Sequence, residues 1–327
     1  MTQPTERLFS VDEALALIDD ALPRQRDTTV DVTQAHGRVL RQRVVAERDQ
    51  PPFDRATMDG VALKFDDRQT RYVATDVAAA GAPPPTYRGV GTCVEIMTGA
   101  VVPQGTDCVV PVEETQRDAE CVVLAADATL APDRYIHRRG SDHRAGTTLL
   151  EPGVRMNATH VAVLVSAGVH AVDVAALPRI GVIATGDELV DVRDPILPHQ
   201  IRRSNDYAAV ALLAQHGYTQ TRTWHVRDDR SALSMTLQEA LDECDVLVLT
   251  GGVSKGRYDY VPDVLAALGV NPVLHRVAQR PGKPMWFGTG PRKQSVFALP
   301  GNPVSALTCL RRYVVEALHK MSDVTDL

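Results

Sequence analysis

The chain has 327 residues, 44% hydrophobic and 23% charged, which excludes a disordered or fibrous protein and predicts two or three domains. A net charge of −6 and only 5% aromatic residues argue against a general nucleic-acid binder. No apolar run has the length of a membrane helix, the start of the chain is polar, and the five cysteines form no CxxC pair. We therefore expect a cytoplasmic protein with no nucleic-acid or membrane partner.

The first part of the chain predicts one helix followed by extended structure. Ser10 and Glu13 have the spacing of a capping box, an apolar face follows, and Pro23 ends the helix. The TVDV and RVLRQRVVA runs that come next are typical of extended segments.

Residues from Pro51 to about Gly146 predict a small β-rich domain. Short runs such as TCVEIM, DCVVPV and ECVVLA are separated by Gly, Pro and Asp residues, which are turn formers. A helix over about 157–167 follows, beginning at Asn157 and ending at Gly168.

After Pro178 strands alternate with helices. IGVIAT (180–185), DVLVLT (245–250) and SVFALP (295–300) are continuous apolar runs, as expected of strands buried on both faces. Helical patterns lie between them, and PVSALTCLRRYVVEALHK (303–320) predicts a closing helix. This alternation predicts a mainly parallel sheet with helices on both faces.

Three glycine-containing turns follow the predicted strands. They are TGDE (185–188), TGGVSKG (250–256) and LPGNPVS (299–305). Ligands of open α/β sheets bind at the carboxyl ends of the strands, and glycine lets the backbone approach a ligand closely. Although a glycine turn can simply reverse the chain, three at one edge predict a phosphate or oxyanion site.

Carboxylates are expected at the same edge. Glu188 lies in the first turn beside Asp187, Asp228 follows the short WHV strand, and Asp259 follows the second glycine turn. Oxygen ligands beside a phosphate are typical of a magnesium site. The alternatives are that Asp187 caps a helix and that Asp228 is a solvated loop charge, with Asp229 an equal candidate.

HRVAQRPGKP (275–284) supplies positive charge near these turns. If the segment is extended, Arg276 and Arg280 point to one face, and Lys283 follows a Pro-Gly turn. A basic run alone is usually a solvated face, so its meaning depends on the neighbouring turns. We find no nucleophile elbow, phosphate loop or GxGxxG motif.

Eight motifs in order resemble those of the molybdopterin molybdenumtransferases of molybdenum-cofactor biosynthesis, over nearly the whole chain. They are PPFDRATMDGVAL (51–63), EIMTGAVVPQGTDCVVPVEE (95–114), RRGSDHRAG (138–146), IGVIATGDELV (180–190), RRSNDYAAV (202–210), TGGVSKGRYDYV (250–261), RPGKP (280–284) and LPGNPVSA (299–306).

The resemblance implies a three-layer α/β domain of the molybdopterin-binding type, an inserted β-rich domain and a linking domain. The corresponding boundaries are 178–327 for the α/β domain, 51–146 for the β-rich domain, and 1–50 with 147–177 for the linking domain. It also implies the reaction: with Mg²⁺ or another divalent cation, molybdate is inserted into adenylylated molybdopterin, and AMP is released. Family members are homodimers, and the molybdopterin adenylyltransferase is a further possible partner.

The family's roles carry over to matching positions of this sequence. The acidic or polar catalytic positions are Asp59, Thr98, Glu188, Asp228 and Asp259, and of these Glu188, Asp228 and Asp259 are the expected metal ligands. The expected substrate-binding positions are Thr185, Gly186, Gly251, Gly252, Ser254, Arg276, Arg280, Lys283, Pro284, Asn302 and Ser305. In the family the β-rich domain of one subunit completes the cleft of the other, which would account for the distance in sequence of Asp59 and Thr98.

The sequence departs from the family pattern in two respects. Arg276 and Arg280 stand where lysine is commoner, and the two cations differ in geometry. The family also continues into a further C-terminal β-rich domain, which contributes an arginine and a serine to the molybdate site, whereas this sequence ends at Leu327.

Three functions follow as hypotheses. The first is an active molybdenum-inserting enzyme; the second is a catalytically weak molybdopterin-binding module or a partner of a full-length enzyme. The third is the single-domain adenylyltransferase, which shares the α/β fold but lacks the PPFDRATMDG and IMTGA segments found here.

Overall fold

The computed structural model describes residues 7–253 and 260–325. The chain divides into two compact units. The outer unit comprises Met1–Gln42, Glu151–Ala162 and His170–Leu327, and the inserted unit comprises Arg43–Leu150 and Val163–Val169. The finer division with a separate linking domain stays a prediction.

Seven α-helices lie in the described residues, and the last two are joined without a break by a π-helical segment. The helices are α1 (Val11–Ala21), α2 (Ala158–Ser166), α3 (Asn205–Gln215), α4 (Arg230–Glu243), α5 (Val261–Ala267), α6 (Pro303–Cys309) and α7 (Glu316–Met321), with the π-helical segment at Leu310–Val315.

The strands of the described residues are numbered in chain order. They are β1 (Asp27–Asp31), β2 (Val44–Val45), β3 (Arg55–Ala56), β4 (Gly60–Leu63), β5 (Arg71–Ala78), β6 (Thr92–Ile96), β7 (Cys108–Pro111), β8 (Thr115–Asp118), β9 (Cys121–Leu124), β10 (Ile136–His137), β11 (Thr148–Leu150), β12 (Ala171–Ala175), β13 (Ile180–Thr185), β14 (Leu189–Val190), β15 (Ile201–Arg202), β16 (Thr221–Val226), β17 (Val246–Thr250), β18 (Asn271–His275), β19 (Trp286–Thr289) and β20 (Ser295–Leu299).

The outer unit is built on a six-stranded sheet in the order β16-β13-β17-β20-β19-β18. The first four strands are parallel, and β19 is antiparallel to both of its neighbours. Alternate residues of β17 face opposite sides: Val246 and Val248 pack with α1, α3 and the closing helices, whereas Leu247 and Leu249 pack with α4 and α5. This confirms the predicted three-layer α/β domain with a mainly parallel sheet.

The helix boundaries follow from their caps. Ser10 and Glu13 form the predicted capping box of α1, and Asn157 accepts a hydrogen bond from the amide of His160 at the beginning of α2. Phe9, which precedes the cap residue of α1, forms a parallel bridge with Val277, so the beginning of the first helix is attached to the segment that follows β18. None of the helices in the described segments has the length and apolar character that crossing a membrane requires.

The inserted unit is β-rich, as predicted. Its main sheet has the order β7-β4-β6-β5-β9-β8, in which only β5 and β6 are parallel neighbours. Both faces carry apolar side chains: Ala62 and Val94 belong to one core, Val61 and Cys93 to the other.

Two extended segments expected from the sequence are shorter than predicted. Of the RVLRQRVVA run only Val44–Val45 is a strand. In the 275–284 segment, β18 ends at His275 and Arg276 has φ +73°, in the left-handed region, so the regular alternation of side chains stops there. The expectation that Arg276 and Arg280 share one face of a strand is therefore wrong. Strand β19 was not predicted because it is four residues long and contains Gly288.

Candidate functional site

The three predicted glycine turns lie at one edge of the outer sheet. Strands β13, β17 and β20 are parallel neighbours that end at Thr185, Thr250 and Leu299. Gly251 donates its amide hydrogen to Leu299 O over 3.1 Å, and a Cβ on Gly301 would lie 3.7 Å from the Cα of Gly251. The second and third turns are therefore in direct contact.

A cavity of about 450 Å³ opens at this edge. Its lining combines backbone turns, small polar side chains and two carboxylates. The lining residues are Thr185, Gly186, Glu188, Leu189, Ile201, Asn205, Asp228, Thr250, Gly251, Gly252, Val253, Pro284, Pro300, Gly301, Asn302 and Ser305.

The second turn requires glycine. Gly251 has φ +97° and Gly252 φ +66°, and a Cβ on Gly251 would come within 2.7 Å of Thr185 O and 2.9 Å of Thr185 Oγ1. The hydroxyl of Thr185 is buried and has no hydrogen-bond partner among the described residues. A buried polar atom without a partner is costly unless a ligand or water satisfies it, so the Thr185 hydroxyl is available to a molecule in the cavity that it lines.

The carboxylates at this edge have different surroundings. Glu188 folds back over the first turn, since a Cβ on Gly186 would lie 2.7 Å from Glu188 Oε2. Asp228 lines the cavity, and its amide donates to Asp187 Oδ1 over 3.3 Å. Asp229 accepts a hydrogen bond from the amide of Ala232 over 2.7 Å and caps α4. Of the two neighbouring aspartates, Asp228 therefore lines the cavity and Asp229 is the helix cap.

Polar side chains at the helix beginnings complete the wall. Asn302 caps α6, accepting a hydrogen bond from the amide of Ser305 over 3.2 Å, and the side chain of Ser305 is buried beside it. The side-chain amide of Asn205, at the beginning of α3, donates to Gly301 O over 2.8 Å. These contacts fix both helix beginnings to the third glycine turn.

Two family models cover most of the chain. Residues 9–168 match the MoeA N-terminal region (domain I and II), and residues 181–320 match a probable molybdopterin binding domain. The chain is 39% identical to a molybdopterin molybdenumtransferase of Synechocystis over 95% of its own length and 80% of the relative's. It is 34% identical to the enzyme of that name from Nostoc, over 97% and 76%.

The chain belongs to the molybdopterin molybdenumtransferase family. A crystal structure of a molybdopterin biosynthesis MoeA protein from Pyrococcus horikoshii is similar over 98% of this chain and 81% of that one, with a TM-score of 0.81 and 27% identity. The family places the protein among transferases with a role in molybdenum cofactor biosynthesis.

Most residues that the family resemblance selected in the α/β part of this transferase lie around the cavity. Thr185, Gly186, Glu188, Asp228, Gly251, Gly252, Pro284, Asn302 and Ser305 line it. Arg276 is half-buried, and Arg280 and Lys283 are exposed on the loop that leads to Pro284, outside the lining. Ser254 and Asp259 lie outside the described residues.

Asp59 and Thr98 are brought together in the inserted unit. Thr98 donates both its amide and its hydroxyl hydrogen to Asp59 Oδ1, each over 2.6 Å. These two hydrogen bonds, led by the hydroxyl, lower the pKa of Asp59. The result is an exposed carboxylate that is held in one orientation and in its charged form.

Sequence reasoning missed the part of the wall between the first turn and α3. Leu189 and Ile201 belong to the short parallel pair β14–β15 and line the cavity with Asn205. The RRSNDYAAV motif was the sequence signal that could have identified this part of the wall. Its Arg203 forms ion pairs with Asp206 over 2.9 Å and with Asp191 over 2.8 Å. This network connects the β14–β15 pair to α3.

The three predicted metal ligands, Glu188, Asp228 and Asp259, stay a prediction. Within residues 7–253 and 260–325 no three His, Cys, Asp or Glu side chains are grouped as a metal site. Glu188 and Asp228 both face one cavity, and the third predicted ligand, Asp259, lies in the undescribed segment.

Proposed function

We propose that this protein inserts molybdate into adenylylated molybdopterin and releases AMP. The observation that carries the proposal is the cavity at the carboxyl edge, where two carboxylates and three glycine turns surround the unpartnered hydroxyl of Thr185. A phosphoanhydride needs close backbone approach and hydrogen-bond donors, and this wall offers both.

The roles of the wall residues follow from their chemistry. The turn at Gly251 and Gly252 gives a phosphate access to the backbone, and the Thr185 hydroxyl can donate a hydrogen bond to a phosphate oxygen. Arg280 and Lys283, on the loop that ends at Pro284, can attract the molybdate oxyanion. Water then attacks the phosphoanhydride, a new P–O bond forms as the P–O–P bond breaks, and AMP leaves while the other phosphate stays on the molybdopterin that takes up molybdate.

We propose Mg²⁺ as the cation. Glu188 and Asp228 supply carboxylate oxygens on one cavity wall, and Mg²⁺ is commonly bound by one or two carboxylates together with substrate phosphates. When bound, Mg²⁺ neutralises the charge on the phosphate oxygens. The carboxylates orient the cation, and Thr185 and the glycine turns hold the substrate beside it.

We also propose a homodimer in which Asp59 and Thr98 serve the partner's cavity. The fixed, exposed Asp59 carboxylate supports this, since a charge held by two hydrogen bonds at a surface is suited to meet a ligand.

Mixing the Asp59→Asn protein with the Asp228→Asn protein should restore part of the activity, because each mixed dimer contains one intact site. Two variants that stay inactive when mixed, although each retains the wild-type fold, would contradict the shared site.

The proposal also covers the source of the substrate and the location of the protein. A molybdopterin adenylyltransferase must supply the adenylylated substrate, and we propose it as a partner. We also propose a cytoplasmic location, which the five free cysteine thiols support.

The deciding experiment mixes the purified protein with adenylylated molybdopterin and titrates molybdate while AMP is measured. We expect AMP release that depends on both molybdate and Mg²⁺ and that stops with a chelator. A protein that retains the adenylylated substrate but releases no AMP at any molybdate concentration is instead the binding module that the sequence left open.

A further inference from the structure

The loop Arg276–Met285, here called the cation loop, carries Arg276, Arg280 and Lys283. Two backbone hydrogen bonds close its base, from the amide of Arg276 to Met285 O over 2.8 Å and from the amide of Val277 to Lys283 O over 2.9 Å. The amide of Ala278 also donates to Phe9 O over 2.7 Å, but no further backbone hydrogen bond among the described residues crosses the loop between residues 278 and 282, so the base alone does not fix the position of the loop's tip.

A chain of side-chain hydrogen bonds joins the tip to the closing helix. The Tyr313 hydroxyl donates to Gln279 Oε1 over 2.5 Å. The side-chain amide of Gln279 donates to Cys309 Sγ over 3.3 Å, and Cys309 Sγ lies 3.7 Å from Gly282 O. The chain thus runs from the π-helical segment, through both sides of the loop, to the residue before Lys283.

The direction of this chain is fixed. Burial raises the pKa of both Cys309 and Tyr313 to about 12, so both groups keep their protons at neutral pH and act as donors. When the Tyr313 hydroxyl donates, it must bond to the side-chain oxygen Oε1 of Gln279, and the side-chain nitrogen Nε2 then faces Cys309 Sγ. The thiol hydrogen of Cys309 is then free to be donated to Gly282 O.

Packing leaves this arrangement little freedom. A Cβ on Gly282 would lie 2.3 Å from Gln279 Nε2 and 2.6 Å from Cys309 Sγ, and φ at Gly282 is +104°. Ser305 lines the cavity from the first turn of α6, and Cys309 lies four residues later on the same side of the helix. One turn of α6 therefore lines the cavity and the next turn holds the cation loop.

We propose that Gln279, Cys309 and Tyr313 are positioning residues that set where Arg280 and Lys283 present positive charge to the molybdate oxyanion. This rests on the proposed function, because it assigns molybdate to the cation loop. None of the three side chains needs to touch the substrate: they act through the backbone of the loop.

The proposal separates the two substrates kinetically. In Tyr313→Phe one hydrogen bond is lost and the packing of the ring is kept. We expect the KM for molybdate to rise about three- to tenfold, the scale of one hydrogen bond, with kcat and the KM for adenylylated molybdopterin nearly unchanged. Cys309→Ala should do the same, and the double variant should be no worse than the more affected single one, because both break one chain.

Tyr218→Phe is the matched control. Tyr218 is also a buried tyrosine of the outer unit, and its hydroxyl accepts a hydrogen bond from Arg155 over 3.4 Å, with no link to the cation loop. We expect no change in the KM for molybdate. If Tyr313→Phe and Tyr218→Phe change all kinetic constants alike, Tyr313 is only structural and the proposal is overturned.

Amide hydrogen exchange tests the positioning independently of activity. In Tyr313→Phe the amides of Arg276 and Val277 should exchange about two- to tenfold faster than in the wild type, and those of β17 should not change. Unchanged exchange in the loop overturns the proposal. A wild type without molybdate-dependent AMP release refutes the proposed function instead, and the exchange result still decides whether the chain holds the loop.

Discussion

The two edges of the outer sheet each have a cavity of nearly the same size. The carboxyl-edge cavity measures about 450 Å³, and a cavity at the amino edge, beside Arg179, Asp245 and Arg292, measures about 440 Å³. At the amino edge both lining carboxylates are already paired: Arg179 binds Asp245 with two guanidinium nitrogens, and Arg292 lies 3.2 Å from Asp242.

The carboxyl edge differs in how its polar groups are used. Thr185 has an unsatisfied hydroxyl, and no ion pair is found for Glu188 in the described parts of the chain. A carboxylate that is already held by an arginine has little to offer a cation, whereas an unpaired carboxylate beside an unused hydroxyl can bind one. Cavity volume alone does not separate the two edges; the pairing of their carboxylates does.

The largest expected difference in AMP release is between two Asp→Asn variants, one at each edge of the sheet. Asp228→Asn should reduce molybdate-dependent AMP release by about a hundredfold or more, because the proposed cation ligand loses its charge. Asp245→Asn should leave turnover unchanged and lower the free energy of unfolding by roughly 0.5–1 kcal/mol, the value of an exposed pair. AMP release and urea unfolding of both variants provide the measurement.

Asp229→Asn is the closest control for Asp228. Asparagine remains a good cap for α4, so both stability and turnover should stay near the wild type. Equal loss of activity in the Asp228 and Asp229 variants would mean that the acidic turn matters as a whole and that Asp228 has no special role.

A glycine-to-alanine pair gives a smaller contrast. Gly251 and Gly269 both have positive φ, but only at Gly251 would a Cβ collide, with Thr185 O at 2.7 Å. Gly269→Ala should cost about 1–2 kcal/mol of stability from backbone conformation alone. Gly251→Ala should cost about 2–4 kcal/mol and also impair AMP release, since the collision adds to the strain. Comparable stability losses with full activity in both would contradict the close packing of the second turn.

The smallest effect is in the response to acid. Burial raises the pKa of Asp206, beside the carboxyl edge. For Asp245 burial acts in the same direction, but the hydrogen bonds from Arg179 outweigh it and the pKa is lowered. As the pH falls towards 3.8, the folded protein binds a proton at Asp206 before the unfolded chain does, so the free energy of unfolding rises. Below pH 3.8 the unfolded chain binds a proton at Asp245 before the folded protein does, so the free energy of unfolding falls.

Unfolding free energies of Asp206→Asn and Asp245→Asn, each relative to the wild type, should therefore change with pH in opposite directions. The Asp206 difference should arise above pH 3.8 and the Asp245 difference below it. Parallel pH profiles for the two variants would show that the two carboxylates have the same surroundings.

The sequence predicted what local pattern controls. Strands β13, β17 and β20 are buried on both faces and therefore read as continuous apolar runs, and the turns after them share an edge in any parallel sheet. Residues such as Gly251 and Asp228 could be placed at the carboxyl edge for that reason.

Contacts between distant residues could not be predicted in this way. Arg276 has a left-handed backbone, and its neighbour Val277 forms a bridge with the distant Phe9; no periodicity of the sequence reports either feature. Which of Asp228 and Asp229 caps α4 depends on the residue at which the helix begins. Sequence patterns locate a helix end only to within one or two residues, so they could not distinguish the two aspartates. The π-helical segment leaves no mark in the apolar pattern of the closing helix.

The interrupted course of the outer unit determines the order in which the protein can be completed during synthesis. The main sheet of the inserted unit uses only residues 60–124 and can form as soon as they leave the ribosome. The outer unit joins Asp19 to Lys320 and Arg24 to Asp323, contacts between residues 301 and 299 positions apart. Helix α1 can therefore complete its packing only after α7 has been synthesised, so the outer unit is completed after the inserted one.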